Sequence, residues 1–412
     1  MRGAGTARGL PDLGGTAVAS PAPSPDASPA ARRPPDPVLP AYGRSTLADL
    51  LPSVGHHLGV PGYDVDVLGL PAASRYVVFL VDGLGHELLV GAAEHAPWLS
   101  VRLGERPFTS GVPSTTVTSL TSLGTGLPPG QHGLVGITAR VPSTGEVLNA
   151  LSWESKLLPE VYQPNPTVFE RAAAAGVRVS SVGLQRFART GLTQAALRGP
   201  SFVPFPTEKD TQLRIDLLAD AASRGSRTLV YAYERELDHA GHVHGCGSQV
   251  WRDRLRRIND MLARLRDALP SDVVLVVTGD HGMVDVPTDR RLVIEEEPEL
   301  AAGVSLVAGE ARFRHLYVDR DSPAAVARRW RDRLGTRAWV RTRDEAVDEG
   351  WFGPVAEEVR ERYGHVVAAP TGSWAFLTRA YPQEMELVGM HASLTSVEMR
   401  VPLVVDTGAG PR

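Results

Sequence analysis

Three apolar runs in this sequence end in acidic residues, and histidines lie close to two of those acids. The runs precede Asp82, Asp238 and Asp280. His242 follows Asp238 by four residues, and His281 follows Asp280 directly. Carboxylate and imidazole groups are typical ligands of zinc and similar divalent ions. The residue types therefore indicate a metal site whose ligands come from separate parts of the chain.

The acids differ in how strongly each one supports a metal site. Asp82 precedes Gly83, and Asp-Gly is a common turn pair, so this acid alone is compatible with a simple turn. Asp280 and His281 are more specific, because adjacent polar residues at the end of a buried strand rarely help packing. Convergence adds weight to all of them, since several carboxylates at one place repel each other unless cations neutralise them.

The remaining candidate ligands are weaker when taken singly. Asp238 and His242 could close on one ion if the intervening loop curls, which Gly241 would permit, but solvated loop residues are an equally good interpretation. His391 precedes the last apolar run, where a hydrogen-bonded structural histidine is the more common case. These residues gain their significance from the pattern as a whole.

A cluster of hydroxyl groups at residues 113–119, Pro-Ser-Thr-Thr-Val-Thr-Ser, offers a nucleophile. We interpret residues 115–123 as a loop that enters the amino terminus of a helix, where backbone amides can hold an anion. A metal ion would lower the pKa of a hydroxyl enough to give an alkoxide near neutral pH. The alternative is an ordinary helix cap with β-branched residues in the first turn.

The elements that must position these groups are buried strands. The runs 76–81, 228–233 and 273–277 are rich in Val and Leu without alternation, which predicts strands buried on both faces of a parallel sheet. Parallel sheets place ligand-binding residues just beyond the carboxyl ends of their strands. We therefore predict an α/β fold, an α/β/α sandwich with a mostly parallel central sheet and a small inserted cap subdomain.

The chain divides into three predicted regions. Residues 1–38 are rich in Ala and Pro and predict a disordered tail. Residues 39–290 and 385–412 are expected to form the catalytic core. Residues 291–384 have a different sequence pattern, with short strand-like and helical segments, and we interpret them as an inserted cap that shapes substrate selectivity.

Composition excludes several functions. The net charge of -4 gives no electrostatic reason for binding to a nucleic-acid duplex or a membrane surface. Cys246 is the single cysteine, so no intramolecular disulfide forms, and the two lysines leave little room for lysine chemistry. We expect a cytoplasmic protein, since no convincing signal peptide or membrane-spanning run is present. The oligomeric state is not predictable from these features.

The order of the motifs resembles the alkaline phosphatase superfamily, and most closely its nucleotide pyrophosphatase/phosphodiesterase branch. The motifs are an Asp, then Pro-Ser-Thr-Thr with a later Thr-Gly, Asp-x-x-x-His, Asp-His-Gly-Met and a late His. The resemblance covers residues 73–290 and 385–406. It implies two divalent metal ions, expected to be Zn²⁺, with Thr116 as the nucleophile and a contact of the second ion. The implied ligands are Asp238, His242 and His391 for one ion, and Asp82, Asp280 and His281 for the other.

The resemblance also implies a reaction on a small-molecule phosphate ester. Thr116 would attack phosphorus in line, the leaving group would depart on the side of the first ion, and water would hydrolyse the phosphothreonine. Two positions depart from the branch: Val117 replaces an aromatic residue after the nucleophile, and Ile137 replaces a phosphoryl-binding Asn. Thr138 or Asn149 is a candidate substitute for that Asn.

We therefore expect a metal-dependent phosphodiesterase or nucleotide pyrophosphatase. The alternatives are a phosphomonoesterase or phosphonate hydrolase of the same superfamily and, in a different class, a non-catalytic metal-dependent binding protein. A sulfatase is excluded, because Cys246 lies between glycines rather than in a Cys/Ser-x-Pro-x-Arg setting. The sequence does not identify the natural substrate.

Overall fold

The computed structural model describes residues 34–104 and 108–408, so residues 1–33 of the predicted tail lie outside the described part. The strands are β1 (Arg75–Val81), β2 (Thr138–Arg140), β3 (Val147–Asn149), β4 (Arg178–Leu184), β5 (Ser201–Phe205), β6 (Thr228–Glu234), β7 (Val273–Gly279), β8 (Val284–Asp285), β9 (Arg291–Val293), β10 (Leu306–Glu310), β11 (Phe313–Tyr317), β12 (Ala338–Thr342), β13 (Val366–Pro370), β14 (Ala375–Leu377), β15 (Gly389–Met390) and β16 (Leu403–Asp406).

The α-helices are α1 (Leu47–His57), α2 (His86–Gly91), α3 (Pro97–Ser100), α4 (Thr116–Thr125), α5 (Pro129–His132), α6 (Pro159–Tyr162), α7 (Val168–Ala174), α8 (Gly191–Ala196), α9 (Thr211–Ser223), α10 (Glu236–His244), α11 (Gln249–Ala268), α12 (Pro298–Ala301), α13 (Pro323–Leu334), α14 (Arg343–Asp348), α15 (Glu357–Arg360) and α16 (Ser396–Met399). Short 3₁₀ helices join several of these elements.

The central sheet has six strands in the order β16-β7-β1-β6-β4-β5. Its strands pair in parallel except β16, which runs antiparallel to β7. This arrangement confirms the predicted α/β class and the mostly parallel sheet. The crossovers between β1, β4, β6 and β7 contain helices, as parallel connections require.

Helices cover both faces of this sheet, because alternate residues of β1 pack into two different cores. Tyr76, Val78 and Leu80 belong to a core that includes residues of α1, α4 and α7. Val77 and Phe79 belong to the opposite core, with residues of α9 and α11. Burial on both faces explains why the strand sequence lacks polar alternation.

A second sheet, β10-β11-β13-β12, is antiparallel and lies within the predicted cap region. β8 precedes that region, β15 follows it, and the two strands pair with each other. The chain therefore leaves and re-enters the core at neighbouring points. The boundaries 291–384 of a separate cap stay a prediction.

Candidate active site

The three strands that precede the candidate acids, β1, β6 and β7, end at the same level of the central sheet. Val81, the last residue of β1, pairs with Glu234 of β6 and with Gly279 of β7. Asp82 and Asp280 therefore follow adjacent strands at the same edge, and α10 begins just beyond β6. The parallel register thus brings sequence-distant acids together.

The first group of candidate ligands consists of Asp82, Asp280 and His281, all buried. His281 Nε2 lies 3.4 Å from Asp82 Oδ1 and 3.4 Å from Asp280 Oδ2. Asp280 Oδ1 accepts hydrogen bonds from the Gly83 and His281 amides, at 2.9 and 3.0 Å. Among the described residues, Asp280 Oδ2 has no hydrogen-bond partner. A buried carboxylate oxygen left unpaired in this way is a good candidate for a cation ligand.

The second group contains Asp238, His242 and His391. Asp238 Oδ1 lies 3.4 Å from His242 Nε2 and 4.0 Å from His391 Nε2. It too is buried without a hydrogen-bond partner in the described part of the chain. Asp238 and His391 also form a cluster with His281, with all ligand atoms within 4.8 Å of one another. His242 lies outside that tighter cluster and joins the site through Asp238.

The segment with Asp238 and His242 differs from the curled loop that the sequence suggested. It is the helix α10, and the two side chains are four residues apart, so they lie on the same helical face. Gly241 has a different role from the expected one: a Cβ there would lie 2.5 Å from Met283 Sδ. The glycine permits close packing of α10 rather than a turn.

All three histidines are oriented by backbone carbonyls. The Nδ1 atoms of His242, His281 and His391 contact the carbonyl oxygens of residues 389, 282 and 114, at 2.8, 3.0 and 3.1 Å. A carbonyl only accepts, so each Nδ1 carries a hydrogen and each ring directs its Nε2 toward the acids. Nε2 atoms that face carboxylates require a cation or protons between them.

Burial makes this cluster electrostatically unfavourable by itself. Desolvation, together with the charges of Asp280 and Asp238, raises the pKa of Asp82 well above its ordinary value. Desolvation also raises the pKa of Asp280. The pKa of His391 is lowered well below its ordinary value, by burial first and then by its histidine neighbours. Buried carboxylates and imidazole nitrogens form a donor set that suits divalent cations.

Thr116 is the hydroxyl of the 113–119 cluster that faces the acids. It is the first residue of α4, and its Oγ1 lies 3.2 Å from His281 Nε2 and 3.4 Å from Asp82 Oδ1. Thr118 and Ser119 instead donate to the carbonyl oxygens of residues 134 and 280, at 3.2 and 2.7 Å. The structure therefore separates one partly buried hydroxyl that faces the acids from hydroxyls that bond to the backbone.

Tyr233 is a site residue that sequence reasoning missed. Its hydroxyl donates a hydrogen bond to Asp82 Oδ2. Its ring makes an edge contact with Phe187, with centroids 5.8 Å apart. Little in the sequence indicated this role, because Tyr233 is one of several apolar and aromatic residues in the run that forms β6.

The two departures from the family pattern have structural explanations. Val117 is fully buried in the core beside α4. The Ile137 amide donates to Glu310 Oε1 at 2.6 Å, so this position contributes its backbone rather than a side chain. Asn149 Oδ1 accepts from the amides of residues 151 and 152, at 3.0 and 3.2 Å. Asn149 also lines a cavity beside the site.

Two cavities flank the cluster. The first cavity, about 120 Å³, is largely apolar and reaches Thr116, Tyr233 and Phe187. The second cavity, about 300 Å³, lies on the side of His242 and His391. The nucleophile candidate and the second group of ligands therefore adjoin different spaces.

The profile of a family described as type I phosphodiesterase / nucleotide pyrophosphatase matches residues 76–394. The chain belongs to this family. Membership supports hydrolysis of phosphoesters as its chemistry. A comparison with curated proteins gave no match.

Solved structures share the fold. Murine ectonucleotide pyrophosphatase / phosphodiesterase 5 superposes with a TM-score of 0.65 at 16% identity, covering 80% of this chain and 87% of that one. Its inactive Thr-to-Ala variant in complex with AMP gives the same values. Phosphonoacetate hydrolase from Sinorhizobium meliloti 1021, in complex with phosphonoformate, superposes with a TM-score of 0.62 at 20% identity, covering 82% and 91%.

The helices that the structure describes give no candidate for a membrane span, since none is both long and apolar enough.

Proposed function

We propose that this chain hydrolyses phosphodiesters or pyrophosphates with two divalent cations, through a phosphothreonine at Thr116. The observation that carries the proposal is the position of Thr116 Oγ1, 3.2 Å from His281 Nε2 at the amino terminus of α4. The proposal of two cations is supported by the buried oxygens of Asp238 and Asp280 that have no hydrogen-bond partner among the described residues. Asp82, Asp280 and His281 would hold one ion, and Asp238, His242 and His391 the other.

Bound cations would stabilise negative charge on the reacting oxygens and lower the pKa of the Thr116 hydroxyl. The Asp82 carboxylate faces that hydroxyl at 3.4 Å and can accept its hydrogen bond. The hydrogen bond from Tyr233 to Asp82 holds the carboxylate in place. The first amides of α4 lack partners within the helix, so they can bind phosphoryl oxygens.

The positions of the two ligand groups support one direction for the proposed reaction. Attack from Thr116 requires the leaving group to depart on the opposite side of phosphorus. That side adjoins His242, His391 and the second cavity. A diester substrate would therefore place its leaving alcohol toward the second cavity.

A phosphonate hydrolase or a phosphomonoesterase is the second candidate. The similarity in fold to phosphonoacetate hydrolase is the observation that favours the phosphonate hydrolase. The same cation ligands and the same nucleophile would serve either reaction, so substrate turnover must distinguish them.

Elemental analysis combined with a substrate panel tests the proposal. We expect about two equivalents of a divalent metal, and turnover of bis-p-nitrophenyl phosphate that a chelator abolishes and added zinc or manganese restores. p-Nitrophenyl phosphate and phosphonoacetate serve as the monoester and phosphonate arms. Bound metal without turnover of any of the three substrates would instead indicate a non-catalytic binding protein.

A further inference from the structure

The second cavity contains a buried carboxyl group that the proposed reaction does not use. Glu310 is the last residue of β10 and is only 6% exposed. It lines the cavity together with His242 and His391. Its Oε1 accepts the Ile137 amide, whereas its Oε2 has no hydrogen-bond partner among residues 34–104 and 108–408.

A second unpaired polar atom lies close to this carboxyl. The buried Thr115 hydroxyl also has no hydrogen-bond partner within the described ranges. It is nevertheless near enough to Glu310 to lower the pKa of that carboxyl. Burial outweighs this effect and raises the pKa of Glu310 to about 7. Neither atom has a partner at good hydrogen-bond geometry among the described residues, so the free Glu310 oxygen is available to a donor that enters the cavity.

The charge of the cavity wall restricts what that polar group can be. Glu384 also lines the cavity, and it is paired with the buried Arg314. Within the described part of the chain, no lysine or arginine lines the cavity. Apart from the cation proposed at His242 and His391, an anionic substituent would therefore find no countercharge there, whereas a hydrogen-bond donor would find a carboxyl acceptor.

We propose that Glu310 is a specificity-determining residue that accepts a hydrogen bond from a hydroxyl or amino group on the leaving alcohol. The hydroxyl or amino group would reach Glu310 from the cavity that this residue lines. This inference rests on the proposed function, because the in-line direction places the leaving alcohol in the second cavity. The predicted cap region thereby supplies a selectivity residue to the site in the core.

The test compares methyl phosphodiesters of meta-ethylphenol, meta-(hydroxymethyl)phenol, meta-(aminomethyl)phenol and meta-carboxyphenol, with the released phenol measured by chromatography. We expect kcat/KM for the hydroxymethyl ester to exceed that for the ethyl ester by about tenfold, since one buried hydrogen bond to a carboxylate has about that effect. The aminomethyl ester shows whether an amine is accepted equally well. The carboxy ester should be the poorest substrate.

Glu310→Gln should abolish the preference, because glutamine keeps an oxygen for the Ile137 amide and loses the second acceptor. The control is Gln383→Ala, which changes an exposed residue of the same cavity wall and should keep the preference. Bis-p-nitrophenyl phosphate serves as the reference substrate. Gln383→Ala should hydrolyse it at a rate close to that of the unaltered protein, and the preference of Glu310→Gln is expressed relative to its own turnover of this reference.

The possible outcomes separate this inference from the proposed function. Equal turnover of the ethyl and hydroxymethyl esters, with normal turnover of the reference substrate, would overturn the role of Glu310 and leave the phosphodiesterase intact. A preference that persists in Glu310→Gln would overturn it as well. Absence of turnover with every ester, including the reference, would refute the proposed function itself.

Discussion

The Asp238 carboxylate and the His242 imidazole lie one helical turn apart on α10, with Oδ1 and Nε2 separated by 3.4 Å. The Nδ1 atom of His242 contacts the Gly389 carbonyl at 2.8 Å, which fixes the ring. A rigid helix and a fixed ring preorganise this pair for a cation. The pair is a more rigid ligand set than a loop with the same residue spacing would give.

His242→Ala should remove about one of two bound metal equivalents, because the second group would retain only Asp238 and His391. The affinity of the second group for its ion should fall by at least tenfold, because even the loss of a residue that supports a ligand usually has an effect of that size. Elemental analysis after gel filtration measures this. The matched control is His244→Ala, an exposed residue of the same helix, which should keep full metal content. Equal metal loss in both variants would argue for helix damage.

Tyr233→Phe should lower kcat by roughly tenfold, because Asp82 loses one hydrogen bond that orients it toward Thr116. The phenyl ring keeps its edge contact with Phe187, so the thermal midpoint should change little. Tyr231→Phe is the control: its buried hydroxyl has no hydrogen-bond partner in the part of the structure that is described, so its removal should be neutral or stabilising. Comparable losses of kcat in the two variants would contradict the role of Tyr233.

Gly83→Ala should destabilise the protein by about 1–3 kcal/mol and weaken metal binding. Gly83 has φ of +74°, and a Cβ there would lie 2.9 Å from Asp238 Cα, so α10 would have to move. Gly91→Ala is the control, since a Cβ at that position meets no atom within 4 Å among the described residues. Chemical denaturation measures both variants, and an unchanged unfolding free energy for Gly83→Ala would refute the close approach of α10.

Asp82→Asn should stabilise the metal-free protein at pH 7.5, and this gain should disappear toward pH 4. The folded-state pKa of Asp82 is raised, chiefly by burial, so the folded protein holds a proton that the unfolded chain has released. A group of this kind costs stability above its unfolded pKa and costs nothing below it. Thermal midpoints of chelated wild-type and variant protein across this pH range provide the measurement. If the stability gained by Asp82→Asn grew toward acid pH, the pKa of Asp82 in the folded protein would be lowered rather than raised, which would contradict this prediction.

Much of the fold could be predicted because local patterns and global architecture agree. The run before Asp82 coincides with β1, and the runs 228–233 and 273–277 lie within β6 and β7. The candidate ligands converge because strand order is constrained in parallel sheets. The grouping of particular ligands around two ions remains a prediction.

Other features had no sequence signal that could be read in advance. The helical conformation of α10 was hidden because glycine and several of its polar residues are weak helix formers, and the close approach of Gly241 to Met283 involves residues distant in sequence. The hydrogen bond from Tyr233 depends on strand register, and the position of Glu310 depends on how the second sheet packs. Neither relationship exists between neighbours in sequence.

Replacing Thr116 tests the central claim most directly, with metal content and hydrolysis of bis-p-nitrophenyl phosphate measured on the same preparation. Thr116→Ala should keep the metal content of the wild type and lose turnover by at least a thousandfold, since covalent catalysis disappears with its nucleophile. Thr116→Ser should retain substantial activity, because it keeps the hydroxyl. Thr116→Ala protein that holds its metal and hydrolyses the diester at the wild-type rate would contradict the account.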